Sequence, residues 1–274
     1  KMPISNKKKG LNKQPSNKES LIKYFSESSF DEIGIDEVGR GPLFGRVYCA
    51  AVILPRNNNF KYELLKDSKK FSSKKKLLEV YNYLIENVVC YSVSWVNERE
   101  IDKNNILSST HKCMHKCISK ILEKMDIIYD YKKLNKNYNE NYFLLVDGNN
   151  FKNFNYFNNY NNQIENINHI CIEGGDNKYC SIAAASIIAK IERDKYIENL
   201  CKKNNLLIEY YDLLNNKGYG TKKHLDGIKN YGITNMHRKS YGICKISDIN
   251  YNIKLEINND DYKDDDEDEF SIIS

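Results

Sequence analysis

One stretch constrains this chain more than any other: EIGIDEVGRGPLFGRVYCAAVIL, residues 32–54. It opens as a strand, with Ile33 and Ile35 two apart, and then breaks its pattern with Asp36 and Glu37 side by side. Gly39, Arg40, Gly41 and Pro42 follow, and a second apolar run begins. Two carboxylates at the end of a buried strand repel each other, and burying them costs free energy unless cations or hydrogen bonds compensate. Any fold of this chain therefore has to bring compensation to that point. Consecutive strand residues face opposite ways. Asp36 and Glu37 can share a site only if the strand ends or twists there, or if the longer glutamate bends back. The glycines that follow favour an ending.

The rest of the pattern alternates strands with helices, which indicates an α/β layer structure. Strands are expected over residues 32–37, 47–54, 88–96, 143–146 and 169–173. The second is apolar throughout, as in a strand buried on both faces. Helices are expected over 18–26, 72–87, 104–125, 180–202 and 221–231. The fourth of these helices carries SIAAAS, residues 181–186, small enough for close packing. The Asn-rich stretches 131–141 and 149–163 read as loops. Residues 1–28 read as a flexible basic arm, 29–246 as the folded domain and 247–274 as an acidic, disordered tail.

Charge follows the same division. Nine acids and one lysine between 256 and 269 leave +13 on the rest of a chain whose total is +5. A basic body with an acidic tail points to a polyanionic partner, most simply nucleic acid; the alternative is a solvated, lysine-biased surface. The eight cysteines form no Cys-x-x-Cys pair, and several sit in apolar runs. They read as reduced, buried thiols of an intracellular protein. No run of eighteen apolar residues predicts a membrane span. No hydrophobic leader is visible, which says little about targeting in a chain that begins at Lys1.

Acids recur at the ends of these elements. Asp147 closes the fourth strand and precedes Gly148, and Asp176 stands just before a helix in EGGDNKYCS. Singly, Asp147-Gly148 reads as a turn and Asp176 as a cap. Together with Asp36 and Glu37 they can converge. An oxygen-only set suits Mg²⁺ or Mn²⁺, and two such ions can clamp the attacking and leaving oxygens of a phosphodiester displacement. Glycines beside Arg40 allow backbone groups close to a ligand, and the guanidinium can fork onto phosphate; the alternative there is a tight turn with a surface arginine.

The ordered set GIDEVGRGPLFG, DSKKFSSKKK, EIDKNNIL, LLVDGN, GGDNKYCSIAAASIIAKIERD, GYGTKKHL and HRKSY resembles ribonuclease HII, the single-chain, bacterial-type type 2 ribonuclease H, over residues 32–242. The resemblance implies a ribonuclease H-like mixed β-sheet flanked by helices, with a helical C-terminal part. It implies that Asp36, Glu37, Asp147 and Asp176 hold two Mg²⁺ or Mn²⁺ ions. It implies that Gly39, Arg40 and Gly41 read a 2′-hydroxyl through backbone groups, and that Tyr219 stacks at the sugar of the next deoxynucleotide. Lys69, Lys70 and Asn105 fall in motifs that contact the nucleic-acid backbone. The implied substrates are RNA–DNA hybrid and duplex DNA with an embedded ribonucleotide, cut on the 5′ side of the ribonucleotide to leave a 3′-hydroxyl and a 5′-phosphate. A monomer without accessory subunits is expected, in an organelle of a eukaryote or in a bacterial cytoplasm.

Some features depart from that pattern. The loop between Asp147 and Asp176 is long, Arg46 and Tyr48 stand where bacterial relatives carry smaller or apolar residues, and the tail has no counterpart. Asp194 reads as a structural or supporting acid. In HKCMHKC, residues 111–117, His111 and His115 form one i,i+4 pair and Cys113 and Cys117 another. The pairs point about 160° apart on a helix, so they cannot make one zinc site. A junction resolvase of the same fold and a non-catalytic hybrid-binding subunit are the rival readings. The ordered glycine and tyrosine motifs oppose the first, and the full set of acids opposes the second.

Overall fold

The computed structural model describes residues 20–27, 29–128, 137–158, 161–253 and 255. Its centre is a single five-stranded sheet. Strand β1 (Asp31–Val38) pairs antiparallel with β2 (Val47–Ile53), and β2 with β3 (Cys90–Val96). On its other edge β1 pairs parallel with β4 (Tyr142–Asp147), which pairs parallel with β7 (His169–Ile172). The sheet is mixed, as expected for a ribonuclease H-like fold.

Alternation along β1 sorts the two faces. Ile33 and Ile35 enter a core with Cys113, Cys117 and Ile121 of α3 (Ile106–Ile128). On the other face, Ala50 and Val52 pack with α1 (Lys74–Asn87) and α5 (Cys180–Lys203). The SIAAAS stretch lets α5 lie almost on the backbone of β1. A Cβ placed on Gly34 would stand 2.2 Å from the carbonyl carbon of Ser181, which no side chain tolerates. Three short helices complete the C-terminal part, α6 (Leu206–Glu209), α7 (Leu213–Asn216) and α8 (Lys222–Tyr231). They share a third core with Phe44, Ile197 and Tyr211. All eight cysteines are free thiols. Among the described residues no helix is long and apolar enough to cross a membrane.

Helix starts follow their caps. Ser73 accepts the amide proton of Lys76 at the start of α1, and Thr221 caps α8. Five expectations differ. The described part of the supposed helix 18–26 is extended: Ile22 bridges Tyr179, and Phe25 stacks on Phe143 with centroids 5.3 Å apart. Leu21 and Tyr24 pack against the core shared by α1 and α5, so residues 20–27 of the supposed arm are docked, while 1–19 lie outside the described residues. At the other end Ile249 bridges Ile233 and Ile253 is buried, so the folded body extends past 246; 256–274 lie outside the described residues. The Asn-rich stretch after β4 contains a hairpin, β5 (Asn155–Asn158) with β6 (Gln163–Asn166). In the other Asn-rich stretch, Asn137 caps the short helix α4 (Tyr138–Asn141), and 129–136 lie outside the described residues.

Candidate active site

The site is built from the carboxyl ends of two adjacent parallel strands. Ile35 of β1 is in register with Val146 of β4, which sets Asp36 beside Asp147. Strand β1 runs on through Val38, so an ending does not unite Asp36 with Glu37. Their side chains start on opposite faces. Glu37 lines a cleft against α3, while Asp36 meets the hydroxyl of Ser186 on α5. The aspartate turns back to accept the amide proton of Glu37 at 2.7 Å, and the glutamate has the length to reach the strand edge. Ligand oxygens of Asp36, Glu37 and Asp147 all lie within 4.8 Å of one another.

Electrostatics show the strain of this arrangement. Burial, then repulsion from Glu37 and Asp147, pushes the Asp36 carboxyl well above the usual carboxylate range. Burial also raises Glu37, opposed by Arg40, whose Nη1 lies 3.4 Å from its Oε1. Such a hard, oxygen-only set fits a divalent cation of the Mg²⁺ or Mn²⁺ kind. The protein itself gives Asp36 one amide and one hydroxyl, which leaves the mutual repulsion for a cation to cancel.

Asp176 stands beside this triplet, on a short 3₁₀ turn before α5. Gly174 enters that turn at φ 62°, and the amide of Gly175 donates to Asp147 Oδ1 at 2.6 Å. Burial and repulsion from Asp147 and Asp67 raise the Asp176 carboxyl. Asn177 joins the neighbouring motif to it, donating to Asp176 Oδ1 at 3.1 Å and to Asp67 Oδ2 at 3.3 Å. Asp67 in turn accepts the amide proton of Lys69 at 2.8 Å, and Lys70 bonds the side chain of Asn177. Both lysines thus stand exposed beside the acids. Asn105 does not join them. It caps α3 by accepting from the Ser108 amide at 3.0 Å, in a backbone conformation of φ 66°.

The Gly39–Gly41 turn borders the same cleft of about 300 Å³, which Glu37, Arg40 and Asp147 share with Leu107, His111 and Met114 of α3. Gly39 takes φ 94°, and a Cβ there would meet Arg193 Nε at 2.3 Å. The carbonyls of Gly39 and Arg40 point inward, where Arg238 donates to them at 2.6 and 2.9 Å and to Gly45 O at 2.9 Å. These carbonyls are thereby engaged within the protein. The Tyr219 ring lies over Gly41, since a Cβ there would be 3.5 Å from its Cε1.

Sequence reasoning missed Asp67, Ser186, Arg193 and Arg238, which hold the site from behind. Arg193 and Arg238 are fully buried, at 1% and 0% exposure; an isolated arginine in a sequence carries no mark of that. The HKCMHKC helix turns its two faces apart as its spacing requires. His111 and His115 meet the carbonyls of Asn150 and Lys152, while Cys113 and Cys117 point into the core. Asp194 pairs with Lys190 along α5.

The chain matches the family model of ribonuclease HII over residues 33–244. It is 39% identical over 223 residues to ribonuclease HII of Cytophaga hutchinsonii, covering 81% of this chain and 94% of that protein. It is 38% identical to the Bacteroides fragilis ribonuclease HII, covering 77% and 89%. Among solved structures it resembles the ribonuclease H2 of Pyrococcus horikoshii, with TM-score 0.52 and 24% identity over 79% of this chain and 96% of that one. It also resembles a PCNA:RNase HII complex from Archaeoglobus fulgidus, with TM-score 0.55 and 20% identity over 78% and 96%. The last two likenesses speak for the fold. The family match, together with the carboxylates at the ends of the central strands, makes this a metal-dependent ribonuclease. The chain belongs to the ribonuclease HII family, whose members hydrolyse the RNA strand of RNA–DNA hybrids.

Proposed function

We propose that this enzyme cuts RNA–DNA hybrids and also single ribonucleotides embedded in duplex DNA, on the 5′ side of the ribonucleotide, leaving a 3′-hydroxyl and a 5′-phosphate. The observation that carries this reading is the adjacency of chemistry and recognition. The acid triplet touches the Gly39–Gly41 turn through Glu37 and Arg40, and Tyr219 roofs the same turn. In the proposal Asp36, Glu37, Asp147 and Asp176 hold two divalent ions, Mg²⁺ or Mn²⁺. Ions bound there supply the Lewis acidity that activates water and offsets charge building at phosphorus.

The chain's own groups do the rest. Amides of the Gly39–Gly41 turn approach the 2′-hydroxyl, the group that separates RNA from DNA. The ring of Tyr219, 45% exposed, offers a flat surface to the following sugar. Arg40 reaches phosphate from the rim. Lys69 and Lys70 stand where they can take a phosphate beside Asp176, and Asn105 orients the start of α3. The enzyme works as a monomer, and the basic residues before Ser20 and the acidic ones after Leu255 act on the nucleic acid with opposite signs.

A labelled DNA duplex with one ribonucleotide, incubated with Mg²⁺ or Mn²⁺ beside an all-DNA control, tests the reading. One cut 5′ of the ribonucleotide, lost in Asp147→Asn, is expected. Cleavage of a long hybrid but not of this duplex overturns the single-ribonucleotide assignment, and a fully active Asp147→Asn overturns the metal assignment. Binding without any cut makes the chain a hybrid-binding protein instead.

A further inference from the structure

Two histidines lie beneath the Tyr219 loop, both at 0% exposure. His224 is on α8 and His237 on the segment that runs beside Phe44. Their Nε2 atoms are 3.1 Å apart. One must donate and the other accept, and the surroundings decide which. The backbone amide of Thr234, which can only donate, points at His237 Nδ1 at 2.9 Å. That nitrogen is therefore the acceptor, and the proton of a neutral His237 sits on Nε2. His224 Nε2 must then accept, which puts the His224 proton on Nδ1. Nδ1 faces the carbonyl of Tyr219 at 3.0 Å. The chain of hydrogen bonds runs one way, from Thr234 through both rings to Tyr219.

Burial outweighs the backbone contacts with Tyr219, Gly218 and Thr234 that favour a charged ring. Burial lowers both histidines, His237 well below its ordinary range. A second proton would set two N–H groups against each other across the 3.1 Å gap. Tyr211 packs edge-on against both rings, and Phe44 against His237. The same segment also serves the glycine turn. Arg238 follows His237, bonds Leu43 O through its amide at 2.8 Å and holds the carbonyls of Gly39 and Arg40 through its guanidinium.

We propose that His224 and His237 are positioning residues for ribonucleotide recognition: a neutral two-imidazole relay fixes the Tyr219 backbone relative to the Gly39–Gly41 turn that Arg238 holds. This rests on the reading of Tyr219 as the residue that meets the sugar next to the ribonucleotide. The relay carries no proton in the reaction. It sets the distance between a ring and a turn that come from opposite ends of the folded chain.

The test compares kcat/KM on the single-ribonucleotide duplex with kcat/KM on a uniform hybrid. His224→Leu removes the donor to Tyr219, and His224→Asn restores an N–H close to the Nδ1 position. The ratio of the two kcat/KM values is expected to fall about tenfold in His224→Leu and to recover mostly in His224→Asn. An unchanged ratio, or an asparagine variant no better than the leucine variant, overturns the relay. Tyr219→Ala separates the two ideas. If Tyr219→Ala shifts the ratio and His224→Leu does not, the relay is wrong and the tyrosine reading stands. If Tyr219→Ala leaves the ratio alone, the tyrosine reading itself falls. Should His224→Leu fail to fold, ¹⁵N-detected NMR of the full wild-type chain at neutral pH decides. The expected tautomers carry the proton on Nδ1 of His224 and on Nε2 of His237, and the reverse pair overturns the proposal.

Discussion

Asp36→Asn should leave the metal-free protein more stable while destroying its activity. Asp36 is 5% exposed, and its oxygens lie within 4.8 Å of those of both Glu37 and Asp147. Two unit charges at that separation repel by about 3–4 kcal/mol at an effective dielectric of about 20. Two such neighbours set an upper bound near twice that, and relaxation together with shared protons absorbs more than half, leaving about 2–3 kcal/mol. Asparagine keeps an oxygen for the amide of Glu37, bonded at 2.7 Å, and offers Ser186 a donor, so little else is lost. In chelator at pH 7 the variant should unfold about 5–10 °C above the wild type. Added Mg²⁺ should raise the wild type and leave the variant in place, with cleavage reduced about a thousandfold or more. The pH dependence has a definite sign. A carboxyl whose folded pKa is raised stabilises the fold below its unfolded value and loses that stability as pH rises through the folded one. The variant's advantage should therefore shrink on acidification toward about pH 3, below the ordinary aspartate value, where Asp36 is mostly protonated in both states. A variant less stable than wild type in chelator at pH 7, or an advantage that grows on acidification, would refute the account of repulsion as the dominant force at this site.

Arg238→Lys keeps a charge but replaces three nitrogens, bonded to Gly39 O, Arg40 O and Gly45 O, by one. Thermal melts should show a loss of about 2–4 kcal/mol, with weaker cleavage of the single-ribonucleotide duplex. Gly39→Ala forces an alanine to φ 94° and into Arg193 Nε; it should cost about 1–3 kcal/mol and lower kcat/KM on every ribonucleotide substrate. Gly34→Ala pushes α5 off β1, and soluble expression or a cooperative melt will show whether that packing is as tight as 2.2 Å implies.

Much of the centre was legible because its signals are local. Ile33 and Ile35 followed by paired acids, the apolar run of β2, and Leu144 to Asp147 each announce a strand and its end. The helices expected over 72–87 and 221–231 begin within two residues of that, behind the caps Ser73 and Thr221. The hairpin of β5 and β6 was hidden by composition, since asparagine is depleted in strands. It is held instead by side chains, with Tyr156 and Asn158 both donating to Glu165 Oε2. Docking of residues 20–27 was hidden by neighbouring lysines, although Phe25 finds Phe143 and the amides of Phe25 and Ser26 find Glu32. Arg193, Arg238 and the two buried histidines were illegible for another reason. The arginines bond backbone carbonyls of turns distant in sequence, which leave no trace in residue identity, and the histidines bond each other and nearby backbone in a loop whose path the sequence does not reveal. Asn105 carries a structural task that its motif does not announce, the capping of α3.

The neighbouring strands that carry the acids are far apart in synthesis. Asp36 and Glu37 are made roughly 110 residues before Asp147, with β2, β3 and α3 between them. At about 5–20 residues per second a growing chain holds only half of the acid set for about 5–20 seconds. Strand β4 cannot slot beside β1 until it has left the ribosome, and Asp176 follows later still. A fragment cut short by a broken message or a stalled ribosome then lacks the third and fourth carboxylates. The acid set is complete only once Asp176, about two thirds of the way along the chain, has been made, so any shorter fragment carries at most part of the cluster.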